Sequence, residues 1–218
     1  MAPVAYVVGI GPGMGTAIAK RFGREGYEVA GFARKQATLD EARHELGRHG
    51  VRNHMFTADA GNPESLRGAL DLAKKKAGPP EILVYNVSVL RQGHASRVGA
   101  TALVEDFQSN VVGAAVSAQW ALEDMRGAKR GTLLFTGGGT ALEPFPQYAS
   151  LSIGKAAMRS LALSLSKELA PEGIHAATVT ICGMVKPGTH FDPEAIAEHF
   201  WQLHDQAPAA WEAERLYK

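Results

Sequence analysis

Short runs of apolar, often β-branched residues alternate along the chain with longer stretches whose apolar positions recur at helical spacing. Val4–Gly9 is a compact apolar run that predicts a strand, and the pattern then predicts a helix from about Gly13 to Gly23. Further strands are expected over Tyr27–Ala33, Val51–Ala58, Ile82–Tyr85, Gly131–Thr136 and Ile174–Ile181. Helices are expected between them over Gln36–His49, Pro63–Lys76, Thr101–Met125, Ala149–Leu169 and Asp192–His204. Pro63 and the Asp192-Pro193 pair suit first helical turns, while Pro171 and Gly173 suit a helix end. Glu212–Tyr217 reads as a short edge strand. Such alternation implies right-handed βαβ units, a mostly parallel sheet and helices on both faces. No repeat, low-complexity tract or linker interrupts it, so residues 1–218 are expected to form a single doubly wound α/β domain.

Composition narrows the classes. A chain of 218 residues is one domain's length and buries a core without disulfides or metals. Formal net charge is +1, which offers no electrostatic footprint for nucleic acid or an acidic membrane. Cys182 is the only cysteine, so neither an internal disulfide nor a cysteine-based zinc site is expected, and a reducing cytoplasm suits it. Met1 to Ala19 is uncharged but lacks a basic start and is broken by Gly11-Pro12-Gly13, which argues against a signal peptide. No apolar run approaches the ~20 residues that span a bilayer. A soluble, cytoplasmic protein is the expectation.

The first strand-to-helix turn reads Gly9-Ile10-Gly11-Pro12-Gly13-Met14-Gly15. Glycine there lets backbone approach a diphosphate, and the following helix N-terminus offers free N–H groups and the positive end of its dipole. A bare tight turn is the plain alternative, but the place after a strand and before a helix favours a Rossmann-type nucleotide site. The second strand ends Phe32-Ala33-Arg34-Lys35, with no acid between Val29 and Thr38. An acid there would take the ribose hydroxyl of NAD, whereas Arg34 suits the 2′-phosphate of NADP(H) unless it is only a solvated charge.

With these segments in that order, the chain resembles the short-chain dehydrogenase/reductase family over essentially its whole length. Thr57-Ala58-Asp59 resembles the stretch whose Asp, here Asp59, contacts adenine. Leu83-Val84-Tyr85-Asn86-Val87 resembles the stretch after the fourth strand, with Asn86 kept. Phe107-Gln108-Ser109-Asn110 resembles the helix carrying the structural and proton-relay Asn, here Asn110. Gly154-Lys155-Ala156-Ala157 resembles the segment around the cofactor-binding Lys, here Lys155. Cys182-Gly183 stands where the family has Pro-Gly, so backbone from Gly183 to Val185 is expected to face the nicotinamide carboxamide. The resemblance implies an oxidoreductase with a small-molecule substrate. By analogy of the helices at 101–125 and 149–169, it also implies a homodimer or homotetramer.

Two catalytic positions depart from the family pattern. The family's Tyr, four residues before the Lys, falls on Leu151, and its Ser, 13 residues before the Tyr, falls on Gly138. Hydride transfer to a carbonyl develops negative charge on oxygen and needs a donor aimed at it. Tyr148 is the leading replacement, although it stands seven residues before Lys155, a rise of roughly 10 Å along a helix. It reaches back only if it sits in the preceding loop, and otherwise packs at the rim. Thr136, Thr140, Tyr85 and Ser88 offer further hydroxyls, and His94 a loop imidazole. His199, His204 and Glu198 read as a packed helix face without a third metal ligand, Lys74-Lys75-Lys76 as a cationic helix end, and Cys182 as packing. The substrate side is expected from about 183–218 and the loops after the fourth and fifth strands. Its Gly183–Pro193 stretch is short, which predicts an open or small site. Two functions fit. One is an NADP(H)-dependent oxidoreductase of a small carbonyl or alcohol with a displaced proton donor; the other is an NADP-binding regulatory or sensor protein without hydride transfer.

Overall fold

A computed structural model describes residues 2–218. Seven strands, β1 (Val4–Val8), β2 (Glu28–Ala33), β3 (Asn53–Thr57), β4 (Ile82–Tyr85), β5 (Gly131–Gly138), β6 (Ile174–Ile181) and β7 (Glu214–Tyr217), form one sheet in the order β3-β2-β1-β4-β5-β6-β7. All six neighbouring pairs are parallel. The doubly wound domain expected from the alternation is therefore the fold.

Helices α1 (Met14–Arg24), α2 (Gln36–Arg48) and α7 (Pro193–His204) cover one face, and α3 (Pro63–Ala77), α5 (Gly113–Ala128) and α6 (Ala149–Leu169) the other. Strands covered on both sides must be apolar throughout, and β1, β4 and β6 are buried at every position. Alternate residues feed the two cores. Tyr6, Val8, Leu83 and Tyr85 face α3 and α5, while Ala5, Val7, Ile82 and Val84 face α1 and α7. Asn62 caps α3 through bonds from the N–H groups of Glu64 and Ser65, and Asp192 caps α7 through that of Glu194.

The helix expected over Thr101–Met125 is not continuous. It divides into α4 (Ala100–Phe107), a π-helical turn (Gln108–Val112) and α5. The fully buried Tyr85 hydroxyl donates to the Ser109 carbonyl, and the Gly113 N–H reaches back five residues to Gln108. One extra residue is thereby absorbed where the chain passes the site, and Asn110 is turned inward. The edge strand starts at Glu214, two residues later than expected, and β5 runs two residues beyond Thr136. Between β6 and α7 the chain forms no helix.

Candidate functional site

Parallel strands bring every carboxyl end to one edge of the sheet, and the chain changes direction between β1 and β4, which is where ligands bind in such sheets. The glycine turn lies there. Gly9 has φ +88°, and a Cβ on it would meet the Val87 nitrogen at 2.8 Å. Gly15 sits under the turn, where a Cβ would meet the Gly9 carbonyl oxygen at 2.6 Å. The N–H groups of Gly9 and Ile10 both donate to the Phe32 carbonyl, which ties the turn to the end of β2. Gly13, at φ +90°, precedes α1, whose first turn has no side-chain cap and no acid, and a Cβ there would meet nothing within 4 Å. Backbone packed this tightly on one side and open on the other is a cradle for a diphosphate, with the helix dipole behind it.

Two of the cavities beside the turn lie along the carboxyl edge of the sheet. The smaller, about 250 Å³, is lined by Phe32, Arg34, Lys35, Thr38 and Ala58 and meets the turn at Gly9. Arg34 is exposed at its edge. Asp59 is exposed just past β3, where it accepts from the Gly61 N–H at 2.9 Å, and only its neighbours Ala58 and Ala60 line the cavity. The larger cavity, about 810 Å³, runs from Gly11–Gly15 across the ends of β4 and β5 to Gly183, Val185 and Pro187. Asn86 borders both and closes the floor between them. Its Nδ2 donates to the Gly9 carbonyl at 2.9 Å, and its Oδ1 accepts from the Thr136 hydroxyl at 2.8 Å.

Lys155 enters the larger cavity from α6. It is 5% exposed, and its Nζ donates to the Thr136 carbonyl at 2.6 Å. Burial pushes its pKa down to about 8. Among the described residues it has no carboxylate partner. Leu151, one turn earlier on the same helix, is 8% exposed and also lines the cavity. The three glycines at the end of β5 are not equivalent. A Cβ on Gly137 would come within 2.7 Å of two threonine hydroxyls, and one on Gly139 within 2.9 Å of Cys182. One on Gly138 would meet nothing nearer than the Lys155 stem at 3.6 Å. The first and third are needed for packing; Gly138 leaves open space above the lysine.

Asn110 is 2% exposed behind this wall, its Oδ1 accepting from the Val89 N–H at 2.8 Å. Its side chain packs on Gly154, where a Cβ would lie 3.0 Å from it. Tyr148 lies just outside α6 as its N-terminal cap, with φ −130° and ψ 49°, so it is a loop residue. Its hydroxyl accepts from Gln92 Nε2 at 3.2 Å, and it lines neither cavity. Thr140 and Ser88 line the larger cavity; Tyr85 is buried beneath it, and His94 is exposed beyond it. Both ring nitrogens of His204 are engaged, by Tyr27 and Thr132, at 2.8 Å each.

Sequence reasoning missed the clamp that holds the wall of this cavity. Asp106, 1% exposed, accepts from Arg91 at 2.9 Å and from Ser150 at 2.6 Å. Burial alone would raise its pKa, but the bonds from Arg91 and Ser150 outweigh burial and hold the carboxyl below its ordinary value. Gly93 adds a two-strand bridge, donating to Gln147 at 2.8 Å and accepting from Ala149 at 3.1 Å. The loop after β4 is thus stapled to the start of α6. An acid on an otherwise apolar helix face was the available signal at Asp106. On the opposite side, the loop before α7 folds on itself through a bond from the Gly188 N–H to Asp192 and one from the Lys186 N–H to the Phe191 carbonyl. It is tied to β7 where His190 stacks on Tyr217. Gly183 is the close-approach position beneath Phe191.

A glycine cradle at the switch point, with cavities on both sides and a buried lysine in one, defines a dinucleotide-binding α/β domain. The chain belongs to the short chain dehydrogenase family, whose model matches residues 3–196. It is 30% identical over 207 residues to short chain aldehyde dehydrogenase 1 of Euphorbia lathyris, covering 88% of this chain and 70% of that one. The crystal structure of a short-chain dehydrogenase from Rhodopseudomonas palustris superposes with a TM-score of 0.89 at 26% identity, over 99% of this chain and 98% of that one. A metagenomic short-chain oxidoreductase in complex with NADP shares the fold with a TM-score of 0.90 at 21% identity, over 98% and 96% of the two chains. Among the described residues no helix is long and apolar enough to cross a membrane.

Proposed function

We propose that this chain is an NADP(H)-dependent oxidoreductase acting on a small carbonyl or alcohol, with a proton donor other than a tyrosine at position 151. The observation that carries the reading is the joining of the glycine cradle and Lys155 in one continuous cavity. The cradle fits a pyrophosphate on the grounds of its Gly9 and Gly15 close approaches and the uncapped start of α1. Gly9, Gly11, Gly13, Met14 and Gly15 would then hold the diphosphate and Arg34 the 2′-phosphate, with Asp59 near the adenine. Asn86, Lys155, Gly183 and Val185 would flank the nicotinamide end. Asn110 positions the wall behind Lys155. Bound NADP(H) supplies or accepts the hydride; the chain's own residues orient the substrate, exclude water and move the proton.

A second reading, NADP binding without hydride transfer, is favoured by one observation: Leu151 and Gly138 put no acidic hydroxyl beside Lys155. Two assays separate the readings. Equilibrium titration with NADPH and NADH tests the cofactor, and NADPH is expected to bind more tightly through Arg34. Turnover of the bound NADPH with a panel of aldehydes and ketones tests the chemistry. Binding without any turnover favours the second reading; no binding of either nucleotide contradicts both. Assembly into homodimers or homotetramers belongs to this reading only by family analogy.

A further inference from the structure

The larger cavity contains polar groups of several kinds, and almost all are committed or unable to exchange a proton. Asn86 spends its amide on the Gly9 carbonyl and the Thr136 hydroxyl, which in turn spends the hydroxyl of Thr136. The Thr140 hydroxyl is enclosed and has no hydrogen-bond partner, and as an aliphatic alcohol it does not ionise in the range of protein chemistry. Ser88 is an aliphatic alcohol at an exposed rim and does not ionise in the range of protein chemistry. The remaining side chains are apolar: Met14, Leu90, Leu151, Ile181, Val185 and prolines. Among the described residues, Lys155 is the one side chain lining this cavity that ionises at all.

We infer that the Lys155 ammonium is itself the general acid of the reduction, and its amine the general base of the reverse oxidation, at the substrate oxygen. This assignment rests on the oxidoreductase reading above and deepens it. The geometry supplies the requirements in turn. An ammonium has three N–H donors, and the Thr136 carbonyl holds one at 2.6 Å, which fixes the group while leaving two for a ligand. Gly138 leaves the space over the lysine stem free, since even a Cβ there would stand 3.6 Å from it. Leu151 walls the site with a side chain that neither donates nor accepts. No charged group competes: β5 presents only the Thr136 carbonyl, β4 the Asn86 amide, α6 Leu151, and the π-helical turn Asn110 through Gly154. Burial without a counter-ion lowers the pKa of an amine, so both of its forms are accessible near neutral pH.

A dihydronicotinamide held between Asn86, Gly183 and Val185 would supply the hydride, with its electron pair, to the carbonyl carbon. The π pair of the C=O bond moves to oxygen and takes a proton from Lys155 Nζ as the N–H bond breaks. The lysine is left as a neutral amine and regains its proton from water. In the oxidation, the amine accepts the hydroxyl proton while the carbon gives up its hydride, for which oxidised NADP+ would be the acceptor.

The test uses the full chain with two variants and two readouts. Lys155→Arg keeps a charge and donors at the site but cannot release its proton near neutral pH. Lys155→Met removes all three donors and serves if the arginine does not fit; circular dichroism checks that each is folded. The expected result is NADPH binding within ten-fold of the unsubstituted protein in Lys155→Arg, with turnover down by about 10²–10⁴-fold in both variants. Independently of activity, NMR of the Lys155 Cε resonance in the nucleotide-free protein should show titration near pH 8 rather than in the ordinary lysine range. Reduction should lose rate as pH rises, and oxidation should gain it. Turnover that survives Lys155→Arg, or a Lys155 that titrates like an exposed lysine, overturns the assignment and leaves the oxidoreductase reading standing. Loss of turnover in Tyr148→Phe with retention in Lys155→Arg moves the acid to Tyr148. A protein that binds NADPH but reduces no carbonyl contradicts the oxidoreductase reading itself, and the assignment with it.

Discussion

The two ends of the larger cavity at the carboxyl edge of the sheet are built by different means. Around the glycine turn the ligand-facing groups are mostly backbone, held by β1, β2 and the start of α1, with no room for a Cβ at Gly9 or Gly15. Around Lys155 the ligand-facing groups are mostly side chains, Lys155 and Leu151 from α6 and Asn86 from the end of β4, and the loop after β4 is stapled to the start of α6 by Arg91, Asp106, Ser150 and the Gly93 bridge. A backbone site tolerates wide change elsewhere but almost none at its glycines. A side-chain site can lose a donor and acquire another while its walls stay where they are.

Breaking the backbone half should have the largest effect. Gly15→Ala places a Cβ 2.6 Å from a backbone oxygen that cannot move alone. It should abolish NADPH binding in a fluorescence titration and cost more than about 2 kcal/mol in denaturant unfolding. Next comes the loss of turnover in Lys155→Arg, which leaves the backbone half intact. Arg34→Ala should reduce NADPH affinity about ten- to hundred-fold, the value of a hydrogen bond to a charged group, with NADH nearly unchanged. Calorimetry with both nucleotides checks it.

Stability gives a smaller and opposite effect. The folded-state pKa of Lys155 lies below the unfolded value, so holding it charged in the fold is unfavourable below about pH 8 and that cost disappears above the unfolded value. Unfolding free energy should therefore rise with pH across this window. Lys155→Met should flatten that rise and stabilise the protein at neutral pH by about 1–3 kcal/mol. The smallest effect is expected of Gly138→Ser, where the backbone φ is −152° and the nearest atoms to a new Cβ are 3.6 Å away. It should change stability by less than about 0.5 kcal/mol. A large loss there would mean that Gly138, like Gly137, is needed for packing.

Much of the fold could be read from the chain because the central strands β1 and β4 are unbroken apolar runs and α3 and α7 carry their own start signals at Asn62-Pro63 and Asp192-Pro193. The split at Gln108–Val112 could not, because its cause is a hydroxyl more than twenty residues away, on Tyr85. The glycine turn was legible for the same reason that it is rigid: only one residue type fits. Lys155 and Asn110 were found through resemblance, and the pattern of apolar positions alone would have left Lys155 as a charge on a helix. Its isolation in the cavity depends on where Asn86, Thr136 and Leu151 fall in space. The clamp at Asp106 joins three segments, 91, 106 and 150, whose pairing has no local sequence signal.

In the function proposed for this chain the two halves work together, cofactor on one side and proton on the other. The most direct measurement is a single-turnover experiment that follows the nicotinamide absorbance of NADPH held by excess protein after mixing with a small aldehyde or ketone. The expected result is a loss of the dihydronicotinamide signal that requires both the protein and the carbonyl, slows as pH rises, and is about 10²–10⁴-fold slower in Lys155→Arg. A bound NADPH whose signal is stable with every carbonyl tried would contradict it.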